Sequence, residues 1–177
     1  MRKILSGLTA ATLALAIAAP AMAATGAKPG DATIVDIVLA DDGEFDVLQA
    51  AVIEAGLAGA LSSTDNQYTV FAPTDAAFVA TFRSLLGNDD LTEANVIAFV
   101  EAGGVDTAFG AGALADILLF HVTNGRRTSN SVVSAPQYRM LNGDRLTRSQ
   151  LVEAGIVATD ISASNGVIHV IGWVLLP

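Results

Sequence analysis

The chain has 177 residues, no cysteine, and a formal charge of −9 from 18 acidic and 9 basic side chains. Without cysteine there is no disulfide, thiolate metal site or cysteine nucleophile, so packing must supply the stability. A hydrophobic content of 52 % is ample for that. So acidic a chain would be repelled by nucleic acid and by anionic headgroups, and neither is an expected partner.

Residues 1–23 read as a signal peptide. Arg2 and Lys3 give a positive start, an apolar run extends from Ile4 to Ala19, and Ala21-Met22-Ala23 is a small-x-small cleavage site. The run is short and alanine-rich for a permanent span, so no stable membrane insertion is expected after cleavage. This predicts a mature N-terminus at Ala24 and a net charge of −11 once Arg2 and Lys3 are gone. The leader is of a bacterial type, which places the protein in the periplasm, at the outer surface or in the medium. A retained N-terminal anchor is the alternative. Residues 24–32 read as a flexible lead-in, and 33–177 as one domain of roughly 150 residues, enough to bury a sizeable core.

In chain order, Thr33 to Ala40 predicts a short helix capped by Asp31 or Thr33, with Ile34, Ile37 and Val38 on one face. Phe45, Leu48, Val52 and Ala55 recur at helical spacing and stop near Gly56. Tyr68-Thr-Val-Phe71 is β-branched or aromatic throughout and predicts a strand, ended by Pro73. Thr74 stands where an N-cap is wanted, Asp75 suits the positive end of the helix, and that helix runs to about Leu86. Thr92 caps another helix that stops at Gly103-Gly104, and Leu114 to Leu119 forms one more. Beyond Gly125 the period changes. Ser131-Val132-Val133, Tyr138–Leu141, Arg145–Thr147, Ile156–Ile161, Val167–Ile171 and Trp173–Leu176 predict strands, with turns at Asn142-Gly143 and Asn165-Gly166. Helices in the first half and strands in the second argue α+β.

Three stretches carry a literal resemblance. Tyr68-Thr-Val-Phe-Ala-Pro-Thr-Asp-Ala-Ala-Phe78 and Asn165-Gly-Val-Ile-His-Val-Ile-Gly-Trp-Val-Leu-Leu-Pro177 resemble the two signature blocks of the fasciclin-like domain. Phe120-His121 resembles the family's aromatic-histidine motif, with phenylalanine in the place usually held by tyrosine. Gly172 stands where an aspartate is common. The resemblance runs from about Thr33 to Pro177 and implies a wedge-shaped β-sandwich with helices packed along one side. It also implies adhesion in place of catalysis. Animal relatives use the neighbourhoods matched by Phe120-His121 and Asp160-Ile161 in contact with integrin-type receptors. Phe120, His121, Asp160 and Ile161 are therefore the candidate adhesive contacts. Thr74, Asp75, Asn165, Gly166 and His169 are the family-motif positions read as structural.

Catalysis has little support in the sequence. There is no Gly-x-Ser-x-Gly elbow, no His-Glu-x-x-His helix and no phosphate-loop spacing after a strand. His121 and His169 are each set between apolar neighbours, which penalises the imidazolium and favours a buried structural role. Their spacing assembles no metal site. Asp41-Asp42-Gly43-Glu44 lacks the alternation of a calcium loop and reads as solvated acid. The expectation is a non-enzyme with no cofactor and no metal. It would bind a cell-surface or matrix macromolecule, protein or polysaccharide, with self-association left open. The alternative is a carrier or sensor holding a small ligand in an apolar cleft. His121 is expected to be buried and hydrogen-bonded to the Thr74-Asp75 turn, and Asp160 to lie on an exposed loop.

Overall fold

At the centre of the molecule two strands distant in sequence run side by side. The computed structural model describes residues 31–40 and 43–177. The predicted leader, most of the lead-in and Asp41-Asp42 lie outside the described residues. In chain order the elements are α1 (Ile34–Val38), α2 (Asp46–Glu54), α3 (Ala58–Leu61), β1 (Tyr68–Pro73), α4 (Asp75–Leu86), α5 (Glu93–Glu101), α6 (Gly104–Phe109) and α7 (Ala113–Phe120). They continue as β2 (Val122–Asn124), α8 (Ser129–Ser134), β3 (Gln137–Arg139), β4 (Arg145–Thr147), α9 (Arg148–Ala154), β5 (Ile156–Ala163) and β6 (Gly166–Ile171).

The helices begin where side-chain caps allow. Thr33, Thr92 and Thr147 form capping boxes with Asp36, Asn95 and Gln150, and Thr74 accepts the Ala77 N–H at 3.2 Å. Such caps satisfy N–H groups that have no partner within the helix. Gly104, which opens α6, cannot be exchanged for a larger residue. A Cβ there would sit 2.5 Å from the Phe99 ring and 2.6 Å from the Phe99 carbonyl oxygen.

The main sheet has the order β2-β1-β6-β5. β1 and β6 are parallel, in register from Tyr68↔Gly166 to Pro73↔Ile171. Every residue of both strands is buried, as a central strand covered on both faces requires. β5 joins β6 as an antiparallel hairpin and carries register shifts on either side of Ala158. β3 and β4 form a separate two-stranded ladder, linked to β2 through the Thr123↔Met140 bridge.

Alternation along β1 and β6 divides the interior into two cores. Val70, Ala72, Ile168 and Val170 face the helical layer and pack with Val47, Val96, Val100 and Leu118. Phe71 and Ile171 face the ladder and pack with Phe120, Val132, Tyr138, Leu146 and Leu151. The architecture is α+β, with helices on one side of the main sheet and the ladder with α8 and α9 on the other.

Two segments depart from the strand expectation. Ser131-Val132-Val133 is part of α8, because tertiary partners satisfy both helix ends. The Asp160 carboxylate accepts the Ser129 N–H at 2.8 Å, and the Tyr138 hydroxyl donates to the Ser131 and Val132 carbonyls at 2.7 and 2.6 Å. These contacts outweigh the β preference of two valines. Trp173–Leu176 is an irregular strap. Its N–H groups turn to side chains of the helical layer: Val174 donates to Thr81 Oγ1 at 3.4 Å and Leu175 to His121 Nε2 at 2.9 Å.

Candidate functional site

Helix α7 delivers Phe120 and His121 into the interior. Phe120 is 1 % exposed and lies in the ladder-side core; His121 is 2 % exposed and caps the helix C-terminus. Nδ1 of His121 meets the Ile117 carbonyl at 2.7 Å, and Nε2 accepts the Leu175 N–H at 2.9 Å. Because Nε2 accepts, the ring proton sits on Nδ1. Burial pushes the imidazole down to about 4, although the Ile117 carbonyl pulls the other way. The expected bond to the Thr74-Asp75 turn is thus replaced by bonds to α7 and to the C-terminal strap. His121 reaches along its own helix and across to residues 54 positions later.

His169 occupies β6, fully buried and stacked on Phe71 with ring centroids 5.8 Å apart. Its Nδ1 accepts the Asp160 N–H at 3.3 Å and its Nε2 faces the Arg127 carbonyl at 2.9 Å. That places the ring proton on Nε2, the opposite tautomer to His121. Both nitrogens of both rings are engaged by backbone groups, which leaves no lone pair for a metal.

Asp160 lies within strand β5 and not on a loop. It is the one non-glycine among the described residues with positive φ, at 60°, and it falls inside the β5 irregularity. Aspartate tolerates that conformation better than most residues. Its side chain is exposed, and Ser129 holds it through both N–H and hydroxyl, which lowers its pKa. Ile161 is half-buried against the helix-side core. Of the four candidate contacts, Asp160 alone is exposed.

The β5–β6 turn is Ser164-Asn165, one residue earlier than expected, with Gly166 the first residue of β6, and Asn165 also fastens the N-terminal segment. The Asn165 amide donates to the Leu61 and Ser63 carbonyls at 2.7 and 3.0 Å, and its oxygen accepts the Ile34 N–H at 2.8 Å. Gly166 has no room for a Cβ, which would stand 2.2 Å from the Tyr68 carbonyl oxygen.

Thr74 and Asp75 open α4. The buried Asp75 carboxylate also accepts the Asp46 and Val47 N–H groups at 3.1 and 2.9 Å, so it caps α2 across the fold. Asp46, Asp75 and Glu93, the first residues of three helices, bring carboxylate oxygens within 4.8 Å of one another. Partial desolvation, then the charges of Asp75 and Asp46, raise the Glu93 pKa. Hard divalent cations take such oxygen ligands. No spacing rule finds this trio, whose members lie far apart in the chain. A helix start followed by an acid is its only signal in the sequence.

The surface carries open grooves. One, of about 280 Å³, runs between α4, α6, α7 and the chain end, with exposed Leu85, Phe109 and Leu176 on its rim. Another, of about 330 Å³, is lined by Thr123, Asn124, Arg127, Arg139, Met140 and Leu141. Inside the helix-side core a void among Ile34, Val52, Leu118 and His121 holds only about 30 Å³, room for roughly one water. No helix among the described residues is long and apolar enough to cross a membrane.

The Fasciclin domain model matches residues 43–177. Protein sll1483 of Synechocystis sp. is 34 % identical over 154 residues, covering 82 % of this chain and 73 % of that protein. Synechocystis sll1735, an uncharacterized protein, is 30 % identical and covers 81 % of this chain and 96 % of its own length. Transforming growth factor-beta-induced protein ig-h3 of Sus scrofa is 33 % identical over 84 % of this chain, which spans only 20 % of that protein. Among solved structures, a FAS1 domain pair from the insect cell adhesion molecule fasciclin I superposes with a TM-score of 0.58 at 14 % identity. That match covers 84 % of this chain and 52 % of the other.

Proposed function

The chain belongs to the fasciclin domain family, and on that premise we propose that it is an exported, non-catalytic module that binds macromolecules at a cell surface or matrix. One observation carries this reading over a small-ligand carrier. The exposed apolar side chains Leu85, Phe109 and Leu176 border an open groove, while the interior void is no larger than about one water. Exposed apolar clusters rimming an open groove mark contact surfaces, whereas a carrier needs an enclosed cavity that buries most of its ligand. A structural neighbour named as an insect cell adhesion molecule supports the same direction. The acidic exposed residue of the family's contact motif, Asp160, lies on the edge strand β5, where a partner has access.

Retention of labelled protein by intact cells or isolated envelope tests the proposal. Saturable retention, competed by unlabelled protein and reduced several-fold in Leu85→Ser/Phe109→Ser, is the expected result. Absence of saturable retention, together with stoichiometric uptake of a small apolar ligand, would replace it with the carrier reading. Mass spectrometry of the native protein tests export, with Ala24 expected as the first residue.

A further inference from the structure

The net charge conceals a division of the chain. Of 18 acidic residues, 15 lie between Asp31 and Asp116, where Arg83 is the one basic residue. From His121 to Pro177 the balance reverses, with Arg126, Arg127, Arg139, Arg145 and Arg148 against Asp144, Glu153 and Asp160. The helical layer is therefore strongly negative, and the ladder side is locally positive.

On that side Arg139 and Arg145 are direct cross-strand partners in the β3–β4 ladder. Met140 donates its N–H to the Asp144 carbonyl at 2.9 Å, so the neighbouring Arg139–Arg145 position is a non-hydrogen-bonded pair, where side chains come closest. Like charges placed opposite each other destabilise a sheet. No ion pair among the described residues relieves them. The adjacent acid, Asp144, is held by Asn142, whose amide donates to its carboxylate at 3.0 Å. Arg127 lines the same groove as Arg139, with its guanidinium 5.2 Å from the Tyr138 ring centroid and a buried Nε that has no hydrogen-bond partner. Arg126 and Arg148 differ, since backbone carbonyls hold both.

We infer that the groove between β2 and the ladder is an oxyanion site, in which Arg127 and Arg139, with Arg145 at the adjoining ladder position, take carboxylate or sulphate groups carried on an acidic polysaccharide. Guanidinium groups bind planar carboxylates and tetrahedral oxyanions through paired N–H donors. Exposed Asn124 beside them suits sugar hydroxyls, and half-buried Leu141 offers an apolar contact to a sugar ring, while the Thr123 hydroxyl is committed to the Arg139 carbonyl at 2.8 Å. A duplex or an anionic bilayer presents charge over a surface as wide as the domain and meets its acidic layer too. A single flexible chain lays a few charges in the groove and keeps the rest beyond the screening length of about 10 Å. This inference rests on the surface-binding reading and names a partner class for it.

Calorimetry on the purified protein, with sodium polygalacturonate, dextran sulphate, inorganic sulphate and neutral dextran as probes, tests it. The charged polymers should bind, neutral dextran should not, and affinity should fall with salt. Arg139→Gln/Arg145→Gln should weaken polymer binding by about tenfold or more and reduce the salt slope, whereas Arg83→Gln leaves both unchanged. Sulphate binding without polymer binding overturns the glycan occupant, and equal binding to duplex DNA or phosphatidylglycerol vesicles overturns the choice of partner. Polymer binding that survives the double substitution overturns the groove. Envelope retention equal in wild type and double variant, with no polymer bound by either, overturns the site yet leaves the surface-binding reading standing.

Discussion

His121 and His169 are both buried and each ring joins two backbone groups, yet they hold different seams. His121 sits at the end of α7 and ties the C-terminal strap to the helical layer. His169 sits in the central sheet and ties the edge strand β5 to the loop that leads into α8. The first bond set locks a terminus onto a core already built from helices. The second joins the sheet to the ladder side, where the smaller core contributes less apolar packing. An aromatic-histidine motif and a histidine in a terminal strand thus read alike in sequence and act on opposite sides of one sheet.

Breaking the first seam should have the largest effect. His121→Ala leaves a cavity and strands the Leu175 N–H and the Ile117 carbonyl, at a cost of about 4 kcal/mol. Urea melts measure it, and a loss below about 1 kcal/mol would show that the strap is held by apolar packing alone.

Acid should loosen the same seam without mutation. The folded pKa of His121, about 4, lies below the unfolded value of 6.5, so the unfolded chain takes up the proton first. The histidine's contribution is whole above pH 6.5, declines as pH falls from 6.5 towards 4, and is flat below. The total change is roughly 3 kcal/mol. Melts of wild type and His121→Gln across this range should converge as pH falls. Parallel curves would mean that the ring titrates normally.

The second seam can be probed through its outer end. Asp160→Ala removes the acceptor for the Ser129 N–H at the start of α8 and places a less tolerant residue at positive φ, for a loss of about 1 kcal/mol. Asp160→Asn should recover part of it. Hydrogen exchange should accelerate in residues 129–134 and stay unchanged in α7, which separates the two seams.

The smallest effect should carry the opposite sign. Arg139→Thr removes a like-charge cross-strand pair and should stabilise the ladder by up to about 0.5 kcal/mol, more at low salt. A destabilised variant would show that Arg139 has a structural partner.

The sequence conveyed the helix starts, because Thr33, Thr74 and Thr92 cap locally. It also conveyed the family through the wording of residues 68–78 and 165–177. Long-range partners were hidden. Nothing near Asn165 in the chain announces Leu61 and Ser63, and nothing near Asp160 announces Ser129. For that reason Val132-Val133 reads as strand, while tertiary caps at both ends make it helix. The strap at Trp173–Leu176 misleads in the same way, since its hydrogen-bond partners are side chains of another layer. The arginine groove was open to a simple count, but a single net charge averages two opposite halves away.

The parallel pairing of β1 with β6 also sets the order in which the molecule can be built. Tyr68 meets Gly166 and Pro73 meets Ile171, so the middle of the sheet joins strands from the first and second halves of the domain. Such non-local contacts require closing a long loop before they give any stabilisation. While a ribosome still holds the last strand, β1 lacks its parallel central neighbour and both cores lack that wall. The domain must wait for its final residues and then close in one late step, so removal of the last dozen residues should abolish folding altogether.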